Sequence, residues 1–267
     1  MRLFRFIVNS IEFCLAYGNP LEIFYHRMFF PKGDVRVVDR ASKTHVRCKV
    51  AAYQMFGEVW RDHDYDVPRI PIRTGDVVVD IGGNHGFYTC YAAHFGARVL
   101  AFEPAPVLFQ YLEKNVKDNG FAERVTARCC AVSDRRGRVE MMLTESMGGG
   151  MNTIVREFAE KSKMEVSGRI EVELTTFDDI LAENHIDRVR ICKLDCEGAE
   201  WMILKAMNAQ TAAKVDAFVI EYHSSGYDVK DLVRHLLSWD THQVSYAEDK
   251  YCERIILRAV RNDLLTQ

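Results

Sequence analysis

No two of the eight cysteines form a C-x-x-C pair, so the chain encodes neither a zinc ribbon nor a thioredoxin-like redox site. Proline and glycine are sparse, at 6 and 16 of 267 residues, and 48% of the chain is hydrophobic. That balance excludes collagen-like, low-complexity and wholly disordered chains. Neither charge sign dominates: 35 Lys and Arg stand against 38 Asp and Glu, a net −3. A protein whose main task is coating nucleic acid is thereby disfavoured, and no nucleic-acid partner is expected. There is no uninterrupted apolar run of bilayer length. Residues 1–30 are apolar and aromatic, but Glu12, Glu22 and Arg27 break the run, and no small-residue cleavage site follows. A membrane span and a signal peptide are both excluded on that pattern. Internal repeats are absent. Several cysteines sit in apolar, strand-like runs as small hydrophobes, which points to free thiols in a reducing cytoplasm.

What is present is a regular alternation. Val77-Val78-Val79-Asp80-Ile81 predicts a strand buried on both faces. Residues 87–95 predict a helix, 98–102 a strand, and 106–119 a helix with Leu108, Tyr111, Leu112 and Val116 at helical spacing. Residues 125–132 read as a third strand, 138–143 as an edge strand and 171–175 as an extended piece. A short helix at 177–183, a fourth main strand at 189–194, a helix at 200–207 and a fifth strand at 217–220 follow. Residues 229–237 form an amphipathic helix, and 243–246 and 254–260 two final strands. This is an α/β pattern: a Rossmann-like, mainly parallel, seven-stranded sheet with helices on both faces. Residues 51–267 would form that domain. Residues 1–50 would be an N-terminal extension with helical content, a cap or a docking segment. Within it, 34–39 alternates like a strand and 46–52 reads as a strand or a helix start. For residues 1–30 the sharper reading is contact with a membrane surface or a partner, with Arg2, Arg5 and Arg27 as a cationic rim. Residues 146–153, with Gly148-Gly149-Gly150, read as a mobile loop and a candidate lid.

Ligands of such sheets bind beyond the carboxyl ends of the strands, so Asp80, Glu103, Ser133, Asp195 and Glu221 are informative. Asp80-Ile81-Gly82-Gly83-Asn84-His85-Gly86 joins a strand to a helix. Gly82 and Gly86 permit tight backbone geometry and close approach of a ligand. This is not a dinucleotide G-x-G-x-x-G: Asn84 replaces the middle glycine, and the Asp80 carboxylate is poorly placed for a pyrophosphate. It suits a ligand with an ammonium group and hydroxyls. Glu103, about 20 positions after the loop, is the expected acceptor for ribose hydroxyls. The residues alone leave open an NAD-dependent oxidoreductase on a similar sheet and a non-catalytic binding protein.

Together these pieces resemble class I S-adenosylmethionine-dependent methyltransferases, and the FkbM family in particular. The glycine loop continued through Phe87-Tyr88-Thr89 is similar to that family's D-x-G-x-N-x-G-x-x-T. Phe102-Glu103-Pro104-Ala105-Pro106, then Leu112 and Asn115-Val116, resembles F-E-P-x-P followed by L-x-x-N-V. Thr175-Thr176-Phe177-Asp178-Asp179-Ile180-Leu181 resembles T-T-L-D-D-L, and Lys193-Leu194-Asp195-Cys196-Glu197-Gly198-Ala199-Glu200 resembles K-x-D-x-E-G-x-E. The likeness covers about residues 50–225. Gly83, where Ala is usual, and Cys196, where Val or Ile is common, depart from it. The resemblance implies S-adenosylmethionine as cofactor. Asp80, Gly82, Asn84 and Gly86 would surround its methionine moiety, Glu103 would take the ribose, and Ser133 and Asp134 would lie near the adenine. Glu58 matches an acidic position that can meet the amino group.

The implied activity is O-methylation of a hydroxyl on a small molecule or glycan. The protein must hold nucleophile, methyl and sulfur in line and supply a base for the hydroxyl proton. His223 has the better unperturbed pKa for that base, with Asp195 or Glu197 orienting it or the substrate. Against this, Glu197 and Glu200 could serve the helix N-terminus they begin. Lys193 is expected inside its strand, paired with a carboxylate. Asp195, Glu197, Glu221 and His223 carry donor atoms that suit magnesium or manganese, but their spacing is no dedicated ligand motif, and the site is expected to work without metal. His94, His235 and His242 are expected to be structural or solvated.

Overall fold

In the computed structural model, residues 17–145, 150–248 and 254–265 are described. Residues 1–16, about half of the apolar N-terminal stretch and including Arg2 and Arg5, lie outside this set, as do residues 146–149 of the glycine-rich loop. The chain opens with α1 (Pro20–Phe29), a hairpin of β1 (Asp34–Val38) and β2 (His45–Lys49), and α2 (Tyr53–Trp60). A strand–helix alternation follows: β3 (Val77–Ile81), α3 (Phe87–His94), β4 (Arg98–Phe102), α4 (Pro106–Asp118) and β5 (Val125–Arg128). Next come β6 (Ala131–Ser133), β7 (Gly137–Leu143), α5 (Arg156–Lys161), β8 (Gly168–Thr176) and α6 (Phe177–Glu183). The chain closes with β9 (Val189–Leu194), α7 (Glu200–Ala206), α8 (Ala209–Ala212), β10 (Val215–Glu221), α9 (Val229–Leu237), β11 (His242–Glu248) and β12 (Ile255–Arg261).

Seven strands form one sheet in the order β11-β12-β10-β9-β3-β4-β5. The five from β10 to β5 are parallel, and β12 runs antiparallel to both its neighbours. Successive strand residues face opposite sides, and both sides are apolar. Val78, Val99, Ile191 and Val219 join the core beneath α2, α3 and α4. Val79, Leu100, Cys192 and Phe218 join the core beneath α6, α7 and α9. The chain winds outward from β3 through β4 to β5, then returns to place β9 on the other flank of β3. That reversal opens a crevice at the carboxyl ends of β3 and β9.

The segment expected as one strand over 125–132 is two. β5 pairs with β4 in the main sheet, the chain bends at Cys129 and Cys130, and β6 pairs with β8 in a separate sheet of order β6-β8-β7. An apolar run does not record that its two halves take different partners. The helices α2 and α5 are further elements that the sequence pattern does not predict.

Two of the quoted motifs are structural ties. Asn115 is buried and reaches from α4 to two segments. Its Nδ2 donates to the carbonyls of Arg47 and His85, both at 2.8 Å, and its Oδ1 accepts from the Arg47 N–H. Asn119 repeats the tie at His45. Thr176 caps α6 by accepting from the Asp179 N–H, and Asp178 accepts from Thr211, in keeping with the preference for such residues at helix starts.

Candidate active site

The glycine loop is shaped by close backbone contact. Gly82 has φ +81°, and a Cβ there would sit 1.8 Å from the Asp195 carbonyl oxygen. Only glycine lets the ends of β3 and β9 meet this closely. Every N–H from Gly82 to Gly86 has a protein partner. Gly82 and Gly83 donate to the Phe102 carbonyl at 3.0 and 2.9 Å, and Gly86 to Gly83 at 2.7 Å. Asn84 donates to the Glu103 carboxylate and His85 to the Asn84 side chain, both at 2.8 Å. A loop whose donors are all engaged is not the anion cradle that a dinucleotide needs. This counts against the oxidoreductase reading.

Asp80 is fully buried behind that loop and does not line the cleft. It accepts from Thr89 Oγ1 at 2.6 Å and faces Lys193, its register partner on β9, at 3.2 Å. Burial pushes its pKa up against the opposing pull of Lys193 and Thr89. Lys193 also donates to the Gly82 carbonyl at 2.8 Å and lies 3.3 Å from Asp195. Asp80 therefore fixes the loop and the lysine rather than presenting its own carboxylate to a ligand.

The crevice is about 800 Å³, and Glu58, Gly82, Asn84, Glu103, Asp195, Glu197 and His223 all line it. Gly86 lies behind the wall as the left-handed cap of α3. Glu103 is buried, and its two oxygens accept the Asn84 and Ala105 N–H groups at 2.8 Å each; burial, against those bonds, pushes its pKa up to about 7. Glu58, on α2, pairs with Arg254 at 2.8 Å. Ser133 and Asp134 are not in the wall. Because the chain bends before β6, Cys130, Ala131 and Val132 line the cleft instead. Ser133 donates to Asp134, which pairs with Arg135.

At the carboxyl ends of β9 and β10 four carboxylates surround one imidazole. His223 Nδ1 is 2.9 Å from Glu200, which also receives the Cys196 and Gly198 N–H groups at the start of α7. Nε2 faces Glu197 at 3.6 Å, Glu221 at 3.8 Å and Asp195 at 4.0 Å. Burial alone would lower the His223 pKa. Glu197 and Glu200, with Glu221 behind them, outweigh it and raise the pKa well above the usual imidazole range. Burial likewise lifts Glu197 to about 8 and Glu221 to about 7. Asp195 stays low because Lys193 and His223 overcome its burial. Asp195, Glu197 and His223 place one donor atom each within 4.8 Å of one another, close enough for a divalent cation. Three cleft residues carry no local sequence signal. Tyr65 donates to Glu221 at 2.6 Å and Asp195 at 3.1 Å. Arg254 joins Glu58 to Asp64. Phe158 packs edge-on against His223. His235 and His242 instead bond the Leu204 and Val215 carbonyls, as structural histidines do.

Residues 80–246 match the family model described as the methyltransferase FkbM domain, well over half of the chain. The chain belongs to the FkbM methyltransferase family. Among curated relatives, the 31-O-demethyl-FK506 methyltransferase FkbM of Streptomyces tacrolimicus is 28% identical over 213 residues, 71% of this chain and 81% of that protein. Methyltransferase sdnD of Sordaria araneosa is 27% identical over 65% of this chain and 75% of its own length. The hexuronic acid methyltransferase AglP of Haloferax volcanii is 26% identical over 68% and 73%. The crystal structure of methyltransferase FkbM from Methylobacillus flagellatus shares the fold, with TM-score 0.50 and 18% identity over 79% of this chain and 53% of that one.

This FkbM methyltransferase uses S-adenosylmethionine as methyl donor. The cleft fits that group. Glu103 lines the space, and each of its oxygens accepts a single N–H and so retains acceptor capacity, the right chemistry for two vicinal hydroxyls. Leu108, Ala131, Val132 and Met141 give the same cleft an apolar lining, suited to a flat heteroaromatic ring. The carboxylate-rich end at Asp195 suits a cation.

Proposed function

We propose that the protein transfers the methyl group to a hydroxyl of a small molecule or glycan, with a carboxylate of the Asp195–Glu197–Glu221 cluster as proton acceptor. What carries this reading is the convergence of Glu197, Glu221 and Asp195 on His223 Nε2, at 3.6, 3.8 and 4.0 Å, where β9 and β10 open into the cleft. A hydroxyl nucleophile must lose its proton, and the group that takes it works best with a pKa near the operating pH. Glu197 and Glu200 raise the His223 pKa against its burial, which suits the ring less to that task than its unperturbed pKa suggests. Glu197 and Glu221, at about 8 and about 7, are matched to the task. S-adenosylmethionine supplies a methyl already activated on a cationic sulfur. The chain's own residues orient the acceptor and hold the proton: Asp195 remains anionic, His223 balances its neighbours, Glu200 fixes the ring through Nδ1, and Tyr65 fixes Glu221 and Asp195. The names of two relatives, one for a 31-O-demethyl compound and one for hexuronic acid, support an oxygenated acceptor. The six described cysteines are free, which supports a reducing, cytoplasmic setting.

The test is a panel of hydroxyl, amine and thiol acceptors with radiolabelled S-adenosylmethionine. Hydroxyl acceptors should be labelled. Glu197→Gln should lower kcat on them by about a hundredfold or more while leaving S-adenosylhomocysteine affinity unchanged. Labelling confined to amines or thiols would overturn the assignment.

A further inference from the structure

Amphipathic helices on a protein surface normally turn their apolar stripe inward. α1 does the reverse. Leu21, Phe24, Tyr25, Met28 and Phe29 recur at i, i+3, i+4, i+7 and i+8, which is one continuous helical stripe. All are exposed, with Leu21 at 81%, Met28 at 62% and Phe29 at 65%. The tyrosine ring lies 5.1 Å from Phe29 and 5.7 Å from the exposed Phe30, so the stripe ends in an aromatic cluster. Ile23 is the buried residue of the helix. Arg27, on the opposite side, stacks on Tyr53 and donates to its hydroxyl at 2.8 Å. The helix is thus held through Ile23 and Arg27 and displays the apolar stripe on its other side.

It is also held firmly beside a cationic hairpin. Asn19, at the start of α1, accepts from the Val38 N–H and donates to the Arg36 carbonyl at the edge of β1, and the Gly18 N–H bonds Val38. Arg36 and Arg47 are exposed and stand directly opposite each other across β1 and β2. Like charges in that position repel; an external anion removes the repulsion. Lys32, exposed just after the helix, and Arg36 make no ion pair among the described residues, and Arg47 makes none closer than its longer-range attraction to Asp34. Residues 17–50 hold seven Lys and Arg against three Asp and Glu, a net +4 in a chain of net −3.

We propose that α1 and the β1–β2 hairpin dock the enzyme on an anionic lipid surface, the stripe entering the interfacial zone and Lys32, Arg36 and Arg47 meeting headgroups. Aromatic-rich apolar faces flanked by cations are suited to that zone. No helix among the described residues is long and apolar enough to cross a membrane. This inference is independent of the acceptor chemistry proposed above.

The experiment is flotation of the full chain with vesicles of phosphatidylcholine containing phosphatidylglycerol, and with vesicles of phosphatidylcholine alone. The wild type should float with the anionic vesicles, and less so at high salt. Arg36→Gln with Arg47→Gln should weaken that binding about 25-fold, roughly fivefold per cation. Phe24→Ser with Phe29→Ser should abolish it, with melting temperature and S-adenosylhomocysteine binding unchanged. Failure of the wild type to float, or flotation of the Phe24/Phe29 variant like wild type, would overturn the proposal. So would sedimentation showing a dimer that the Phe24/Phe29 variant dissolves without any vesicle binding, which would assign the stripe to a second copy of the chain.

Discussion

Glu103 offers the sharpest quantitative test of the cofactor site. Its pKa is lifted from 4.5 to about 7, chiefly by burial, so at pH 8 the folded protein carries an ionisation cost of about 3 kcal/mol at this residue. The sign follows from linkage: a carboxyl that binds its proton more tightly when folded loses stability as pH rises from 4.5 to 7. Ribose binding calls on the ionised form as a double acceptor. The ionised fraction climbs from about one-tenth at pH 6 to about nine-tenths at pH 8, so S-adenosylhomocysteine affinity should rise about tenfold over that interval. Glu103→Gln removes both effects. The amide keeps one acceptor oxygen for the Asn84 and Ala105 N–H groups, losing at least one charge-assisted bond to protein or ligand, about 1.5–3 kcal/mol. Affinity at pH 8 should fall roughly 10- to 150-fold, since 1.4 kcal/mol is tenfold, and its pH dependence should vanish. The relieved burial cost offsets the lost bond in the free protein, so the melting temperature should stay within about 5 °C. Isothermal titration at pH 6, 7 and 8, with calorimetric melting, reads all three quantities. If Glu103→Gln bound S-adenosylhomocysteine within about threefold of wild type at pH 8, Glu103 would not be the ribose acceptor.

Gly82→Ala would drive a Cβ to 1.8 Å from the Asp195 carbonyl at a positive φ, and should cost more than about 3 kcal/mol; an unchanged melting curve would refute the close β3–β9 contact. Lys193→Met strands Asp80 and should destabilise by about 3–5 kcal/mol. Adding Asp80→Asn should restore part of that loss, and strict additivity in urea titration would show that the two do not interact. The kcat of the wild type should rise with pH through an apparent pKa between about 7 and 8, because Glu197 and Glu221 must be ionised to accept a proton; activity flat from pH 6 to 9 would exclude that pair as the base. Methyl transfer should survive chelation, and a loss restored by magnesium would place a cation among Asp195, Glu197 and His223.

Much of this protein is local in origin. A strand buried on both faces needs a run such as Val77-Val78-Val79, whatever surrounds it, and a turn from that strand into α3 needs a residue that tolerates positive φ at Gly82 and Gly86. Those demands act on neighbours in sequence, so the parallel sheet, the glycine loop and the methyltransferase family were legible before any coordinates. Other features depend on segments far apart in the chain. The bend that sends β6 to another sheet depends on β8, some forty residues on, and it moves the cleft wall from Ser133 and Asp134 to Cys130–Val132. The raised pKa of His223 comes from Glu197, Glu200 and Glu221, whose fields add only when β9, α7 and β10 converge in a medium that screens them weakly. Asp80 has the right residue type for a ligand contact, yet the register with Lys193 turns it inward. In α1 the periodicity defines a stripe but says nothing of which way it faces. Packing against β1 and Tyr53 decided that, because a helix can bury either side and only its neighbours determine which.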